Sequence, residues 1–172
     1  MKALALAALL AGAAGRPAAA KPLIEFKDVP EYKSEEAELK DGEAKLDEIQ
    51  AQIKSGAIAP IEFEFDKAVL RDSSHRALEA IAELLLTHPN LKLMVFGHTC
   101  DIGSEEYNLW LSNKRAAAVK SYLIKLGVLG ESVKAKGFGK SRPLLPNDSE
   151  ENRSKNRRVE LIPTTRWWES VY

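Results

Sequence analysis

Asn108, Ser112 and Arg115 are separated by four and three residues, which places an amide, a hydroxyl and a guanidinium on one face of a helix. Just before them runs Gly97-His98-Thr99-Cys100-Asp101-Ile102-Gly103-Ser104, a polar loop punctuated by glycines. A helix starting directly after such a loop points unpaired backbone N–H groups and its positive dipole end at the loop, which favours a carboxylate. Arginine grips a carboxylate through two parallel hydrogen bonds, a geometry lysine does not reproduce. The chemistry on offer is noncovalent recognition of a small zwitterion. Each residue also has a plainer role open to it. His98 and Thr99 can satisfy the turn, Arg115 can pair with a surface acid, and Asn156 to Arg158 can be a solvated strand start.

Other reactive residues lead nowhere. His98 and Cys100 are two apart, as in a Cys/His pair or half a metal site, but zinc asks for three or four ligands on a wider framework. His75 and His88 have no matching spacing. Gly137-Phe138-Gly139-Lys140-Ser141 resembles a phosphate loop, yet Lys134 stands where that signature requires glycine. No catalytic residue, no metal and no cofactor is expected.

The elements that must position the constellation follow from periodicity. Ile61, Phe63 and Phe65 alternate with Glu62, Glu64 and Asp66, the period of a half-buried strand. Leu78, Ile81, Ala82 and Leu85 share a helix face, with Asp72, Ser73 and Ser74 as possible caps and Pro89 as the stop. Leu91 to Phe96 is apolar on both faces, as in a central strand closed by Gly97. A second helix from about Glu105 to Leu126 puts Leu109, Ala116, Val119, Leu123 and Leu126 on one stripe and ends at Gly127. Val133, Ala135 and Gly137 predict a further strand, Ser149 to Asn156 a polar helical stretch, and Val159 to Ile162 a last strand. Strands alternating with helices predict an α+β sandwich, a mixed sheet with helices packed on it.

Upstream, residues 21–57 carry 10 acidic and 6 basic residues. Leu39, Leu46, Ile49 and Ile53 form an amphipathic stripe from about Ser34 to Ile53 that Gly42 weakens. The stripe is too short for a coiled coil and reads as a spacer helix lying on the main domain. Met1-Lys2, an uncharged Ala/Leu run of 13 residues from Ala3 to Gly15, and Arg16-Pro17-Ala18-Ala19-Ala20 have the form of a secretory signal cleaved after Ala20. The run is too short to span a bilayer, and no cysteine at the cleavage site provides a lipid anchor. Residues 164–172 form a tail holding Trp167, Trp168 and Tyr172, rings expected to pack on the domain or a partner.

The chain of 172 residues is 45% hydrophobic and formally neutral, enough for one domain with a real core. Removal of residues 1–20 takes Lys2 and Arg16, leaving 23 basic and 25 acidic residues, a net of −2. Nucleic-acid binding is not expected. Residues 131–166 hold nine basic and five acidic residues, a local +4 suited to attraction toward an anionic polymer or to simple solvation. Cys100 is alone, so no disulfide forms within the chain.

Several motifs together carry a family resemblance. Phe63-Glu64-Phe65-Asp66, Gly97-His98-Thr99, Tyr107-Asn108, Leu111-Ser112, Arg115-Ala116, Gly137-Phe138-Gly139 and Asn156-Arg157-Arg158-Val159 follow one another across residues 58–163. This stretch resembles the OmpA-like peptidoglycan-binding domain of OmpA C-termini, Pal and MotB, and the resemblance implies a βαβαβ(α)β arrangement. It also implies recognition of diaminopimelate in the peptidoglycan stem peptide. Arg115 matches the arginine that grips the ligand carboxylate, Thr99 and Asn108 match pocket-lining residues, and Asp66 and Arg157 sit at motif positions near it. Cys100 stands where the family has the aspartate that takes the ligand ammonium, and neighbouring Asp101 is the acid that could replace it. The expected protein is a non-enzymatic, exported periplasmic binding module with peptidoglycan as partner. The alternative is a fold with a degenerate site that binds another envelope or outer-membrane protein through the acidic helix or aromatic tail.

Overall fold

The computed structural model describes residues 34–166. The expected signal segment, the start of the acidic extension and the aromatic rings of the tail lie outside these residues. In chain order the elements are α1 (Glu35–Lys54), α2 (His75–Thr87), β1 (Lys92–Gly97), α3 (Glu105–Lys125), β2 (Val133–Gly137), α4 (Glu150–Asn156) and β3 (Val159–Thr164). The three strands make one mixed sheet in the order β2-β1-β3. β2 is parallel to β1, with Leu93 opposite Val133, and β3 is antiparallel, with Val95 opposite Leu161. The parallel pair requires a crossover, and α3 supplies it.

β1 is central, as its two-sided apolar run predicts, and Leu93 and Val95 lie in the core with Leu78, Ile81, Leu85, Val119 and Leu123. Helix α1 begins at Ser34, whose Oγ accepts the Ala37 N–H. It closes the core with Leu46 and Ile49, and Leu39 and Ile53 pack beside them. The stripe read from the sequence is therefore real, but two of the buried positions of α1, Glu38 and Gly42, carry no apolar side chain. Glu38 accepts the Asn90 backbone N–H at 3.0 Å and its Nδ2 at 2.7 Å. Gly42 leaves room for Leu91, whose Cδ2 would lie 2.7 Å from an added Cβ. Glycine here weakens the helix locally and permits its docking.

Two expectations are corrected. The strand expected over Ile61, Phe63 and Phe65 does not join the sheet; a single antiparallel bridge joins Phe63 to Leu70. The segment folds back on itself instead, with the Glu64 N–H bonded to Val69 O and the Arg71 N–H to Glu62 O. The reversal runs through Asp66 at φ 57, and the 3-10 turn Asp72–Ser74 ends the ribbon after Arg71. Phe65 is left 92% exposed. Ser74 does not cap α2 with its side chain; its Oγ accepts the Glu62 N–H and so anchors this ribbon. The second correction is Leu109, which is exposed: Ala116, Val119 and Leu123 of the expected stripe are buried, and toward the helix start the buried face runs through Asn108, Leu111, Ser112 and Arg115 instead.

Among the described residues no helix is long and apolar enough to cross a membrane. Among them, too, no group of three or more His, Cys, Asp or Glu could hold a metal ion.

The sheet and α3 meet at glycines. An added Cβ at Gly97 would lie 2.3 Å from Ser112 O, and one at Gly137 would lie 2.3 Å from Asn113 N and from Ser112 Oγ. Backbone atoms cannot swing aside as a side-chain tip can, so Gly137→Ala must push α3 off the sheet. Such overpacking costs about 1–3 kcal/mol. Urea unfolding of Gly137→Ala should show a loss in that range, and a midpoint equal to wild type would mean that the close contact carries no stability.

Candidate functional site

The loop from His98 to Ser104 is fastened from several sides. The His98 N–H donates to Arg158 O at 3.0 Å, and the Thr99 N–H donates to Gly139 O at 2.9 Å. Ser104 caps α3 by accepting the Tyr107 N–H, and Gly103 turns the chain at φ 94. Asn108 is buried and donates from Nδ2 to Ile102 O at 2.8 Å and Ser104 O at 3.0 Å. Its amide shapes the loop. Ser112 Oγ accepts the Gly139 N–H at 2.8 Å, joining α3 to the turn after β2.

Arg115 lies one turn further along. It is 9% exposed, and its Nε donates to Lys67 O at 3.0 Å. Its guanidinium lies 5.2 Å from the centroid of the Phe63 ring. The folded-back ribbon thus holds the arginine stem with a carbonyl and a ring. Among the described residues the two Nη groups have no hydrogen-bond partner and no carboxylate forms an ion pair with them. Burial pulls the guanidinium below its ordinary pKa, and Asp66 is the leading charge that opposes this, with Tyr107, Arg157 and Cys100 also acting on it. It stays charged, as arginine does in proteins.

Asp66 Oδ1 accepts the Tyr107 hydroxyl at 2.7 Å, and this bond is the main cause that raises the tyrosine pKa. Cys100 is buried, and Arg157 Nη1 lies 3.9 Å from its sulfur. The other arm of Arg157, Nη2, donates to Glu150 Oε1 at 2.7 Å. Burial acts to lower the Arg157 pKa, but Glu150 and Cys100 outweigh it and the net shift is upward. Thr99 is buried, and its Oγ1 has no hydrogen-bond partner among the described residues.

Asp66, Cys100, Arg115 and Arg157 therefore form one electrostatic group, with Thr99 beside Cys100 on the loop. Asn108 supports this group from within the helix. Asp101 is exposed on the turn and is not among the charges that shift Arg115. Sequence reasoning missed Tyr107, the Lys67 carbonyl, the Phe63 ring and Glu150. Tyr107 was within reach, since it lies on the helix directly beside Asn108; a backbone carbonyl leaves no trace in residue type.

The OmpA family model matches residues 62–157, which contain every member of that group. The chain belongs to the OmpA family. Outer membrane porin F of Pseudomonas fluorescens is 40% identical over 100 residues, 58% of this chain and 31% of the porin. Peptidoglycan-binding protein ArfA of Mycobacterium tuberculosis is 35% identical over 115 residues, 67% of this chain and 35% of ArfA. The chain thus spans about a third of the length of these curated relatives. Among solved structures, the peptidoglycan-associated lipoprotein from Burkholderia pseudomallei superposes with a TM-score of 0.58 at 34% identity, covering 60% of this chain and 88% of the lipoprotein. The OmpA family consists of structural and binding proteins rather than enzymes.

The OmpA-family loop here also encloses His98, 2% exposed, whose two ring nitrogens have no hydrogen-bond partner among the described residues. The ring stacks on Phe138 with centroids 5.5 Å apart, and Arg142 covers Phe138 at 3.8 Å. Glu160, itself paired with Arg158, stands 3.6 Å from Nε2. Burial lowers the His98 pKa from 6.5; Arg158 and Arg142 add repulsion, and Glu160 opposes them. The unfolded chain therefore takes up the proton first as pH falls. Stability from neutral His98 is present above about 6.5, is lost as pH drops below that value, and stops falling only once the folded ring titrates. Urea midpoints should decline from pH 7 to pH 5, and His98→Phe, which keeps a ring on Phe138, should flatten part of that decline. An identical slope in the variant would remove His98 as the cause.

Proposed function

We propose that this OmpA-family chain docks noncovalently on peptidoglycan by holding the diaminopimelate of a stem peptide. The observation that carries the reading is Arg115: a buried guanidinium oriented through Nε, with both Nη groups left for a ligand carboxylate. Thr99, beside Cys100 on the loop, is buried with its Oγ1 unpartnered among the described residues and closed to solvent, so it lies behind the surface a ligand first meets. Asp66, whose second oxygen makes no hydrogen bond among the described residues, is the acid whose charge acts most on Arg115 and receives the ammonium end. In this assignment Asp66, which acts on Arg115, rather than Asp101, which does not, does the work of the acid that Cys100 lacks; both carboxylates are exposed. The names of ArfA and of the Burkholderia lipoprotein support the same ligand class.

The module works in the periplasm, exported by a signal removed after Ala20, with residues 58–163 as the binding domain and 21–57 as its helical extension. A second reading is favoured by one observation, the thiol at position 100. In it the fold keeps its shape, binds the wall too weakly to matter, and meets another envelope protein.

Co-sedimentation with purified sacculi separates the two. Removing a charge-assisted hydrogen bond costs about 1.5–3 kcal/mol, so Arg115→Gln should weaken binding by roughly ten- to hundredfold. Melting curves check that the variant remains folded. Cys100→Asp should bind more tightly than wild type, and Asp66→Asn should lose more affinity than Asp101→Asn. Absence of wild-type binding with gain in Cys100→Asp would establish the second reading. Binding indifferent to Arg115→Gln would end the first.

A further inference from the structure

Two aromatic rings on α3 are not used by the core. Tyr107 is 38% and Trp110 53% exposed, with ring centroids 5.7 Å apart and planes tilted by 31°. At 3.6 residues per turn, Tyr107 lies about 80° and Trp110 about 140° from Arg115, both in the same sense around the helix. Tyr107 is close enough to act on the Arg115 charge, and Trp110 lies beyond it in the same sense around the helix. The hydroxyl bond from Tyr107 to Asp66 fixes the nearer ring to the acid of the candidate site. Adjacent exposed rings with a polar surround mark a recognition surface more often than scattered apolar residues do.

We propose that Tyr107 and Trp110 form a platform for a sugar ring of the glycan strand that bears the stem peptide. The proposal rests on the peptidoglycan reading above and adds a second point of contact to it. A pyranose presents a face of C–H groups and a rim of hydroxyls. The electron-rich faces of indole and phenol receive the C–H groups. Glu106 precedes Trp110 by one turn and Lys114 follows it by one turn, both exposed, so the indole is flanked by groups that bond hydroxyl and acetamido substituents. An apolar protein surface laid here would have to desolvate those two charges, whereas a sugar rim replaces their water with hydrogen bonds. That difference selects the saccharide as occupant.

Calorimetric titration of the full chain with three probes tests this: a disaccharide-tetrapeptide muropeptide, the sugar-free tetrapeptide, and a tetramer of N-acetylglucosamine. Wild type should bind the disaccharide-peptide about tenfold more tightly than the bare peptide. Trp110→Ala should erase that advantage and leave the bare peptide unaffected, and Trp110→Phe should retain most of it. Arg115→Gln should weaken both peptide probes alike. Equal affinity of wild type for the two peptide probes, or an advantage that survives Trp110→Ala, overturns the platform. If wild type binds neither peptide probe, the peptidoglycan reading fails on its own. The N-acetylglucosamine tetramer then decides: binding lost in Trp110→Ala upholds the platform, and no binding overturns it.

Discussion

Ser112 occupies the point where α3 comes so close to the ends of β1 and β2 that a methyl group on Gly97 or Gly137 would overlap helix atoms. Its hydroxyl accepts the Gly139 N–H and donates to Leu109 O, so sheet, helix and following turn meet in direct contact. Asn108 and Arg115 lie one turn to either side of this contact. Their positions are fixed by it, Asn108 under the His98 to Ser104 loop and Arg115 toward the Phe63 ribbon. Each of these buried polar groups is costly to strand, about 1–3 kcal/mol where a partner is lost, so a shift of α3 would be felt at several bonds at once. The site's geometry is thus a consequence of how near a helix can approach two glycines.

That dependence explains what was legible in the sequence and what was not. β1 was legible because a run apolar on both sides has few alternatives, and the sheet places it in the centre. α2 was legible because Leu78, Ile81, Ala82 and Leu85 recur at helical spacing and all are buried. α3 misled only at Leu109, since periodicity arguments count apolar residues and the first half of this helix buries an amide, a hydroxyl and a guanidinium beside Leu111. Those three residues could be placed on one face from spacing alone; that the face was also the core side followed only from the glycines opposite. Asn156 is a similar case. It looks like part of a charged strand start, yet it is fully buried and bonds Leu144 N, Leu145 N and Leu145 O, holding the loop before α4.

The ribbon from Ile61 to Leu70 shows the limit of an alternating pattern. Period two states that successive side chains point opposite ways; it does not state which strand will be the neighbour. Here Phe63 finds its partner seven residues later in Leu70, around Asp66. The outcome matters to the site, because a strand lost from the sheet becomes a bracket for Arg115, giving it the Lys67 carbonyl and the Phe63 ring.

The thiol at position 100 decides how two guanidiniums share the available acids. Arg157 is balanced by Glu150 at 2.7 Å, a carboxyl that Arg157 and Arg153 together hold below the usual range. Its approach to the Cys100 sulfur at 3.9 Å is much longer than a charge-assisted hydrogen bond. Among the described residues Arg115 has no such carboxylate bonded to it and feels Asp66 only through space. Its charge is also mostly removed from water, so solvent screens it little. The uncompensated positive charge of the group therefore rests on Arg115, while the negative side rests on Asp66, one oxygen of which is already occupied by Tyr107. Under the proposed reading, a site so divided would hold the acid end of a zwitterion more firmly than its amine end. The direction of that asymmetry follows from Cys100, because a carboxylate there would face Arg157 directly and draw it from Glu150 toward the loop.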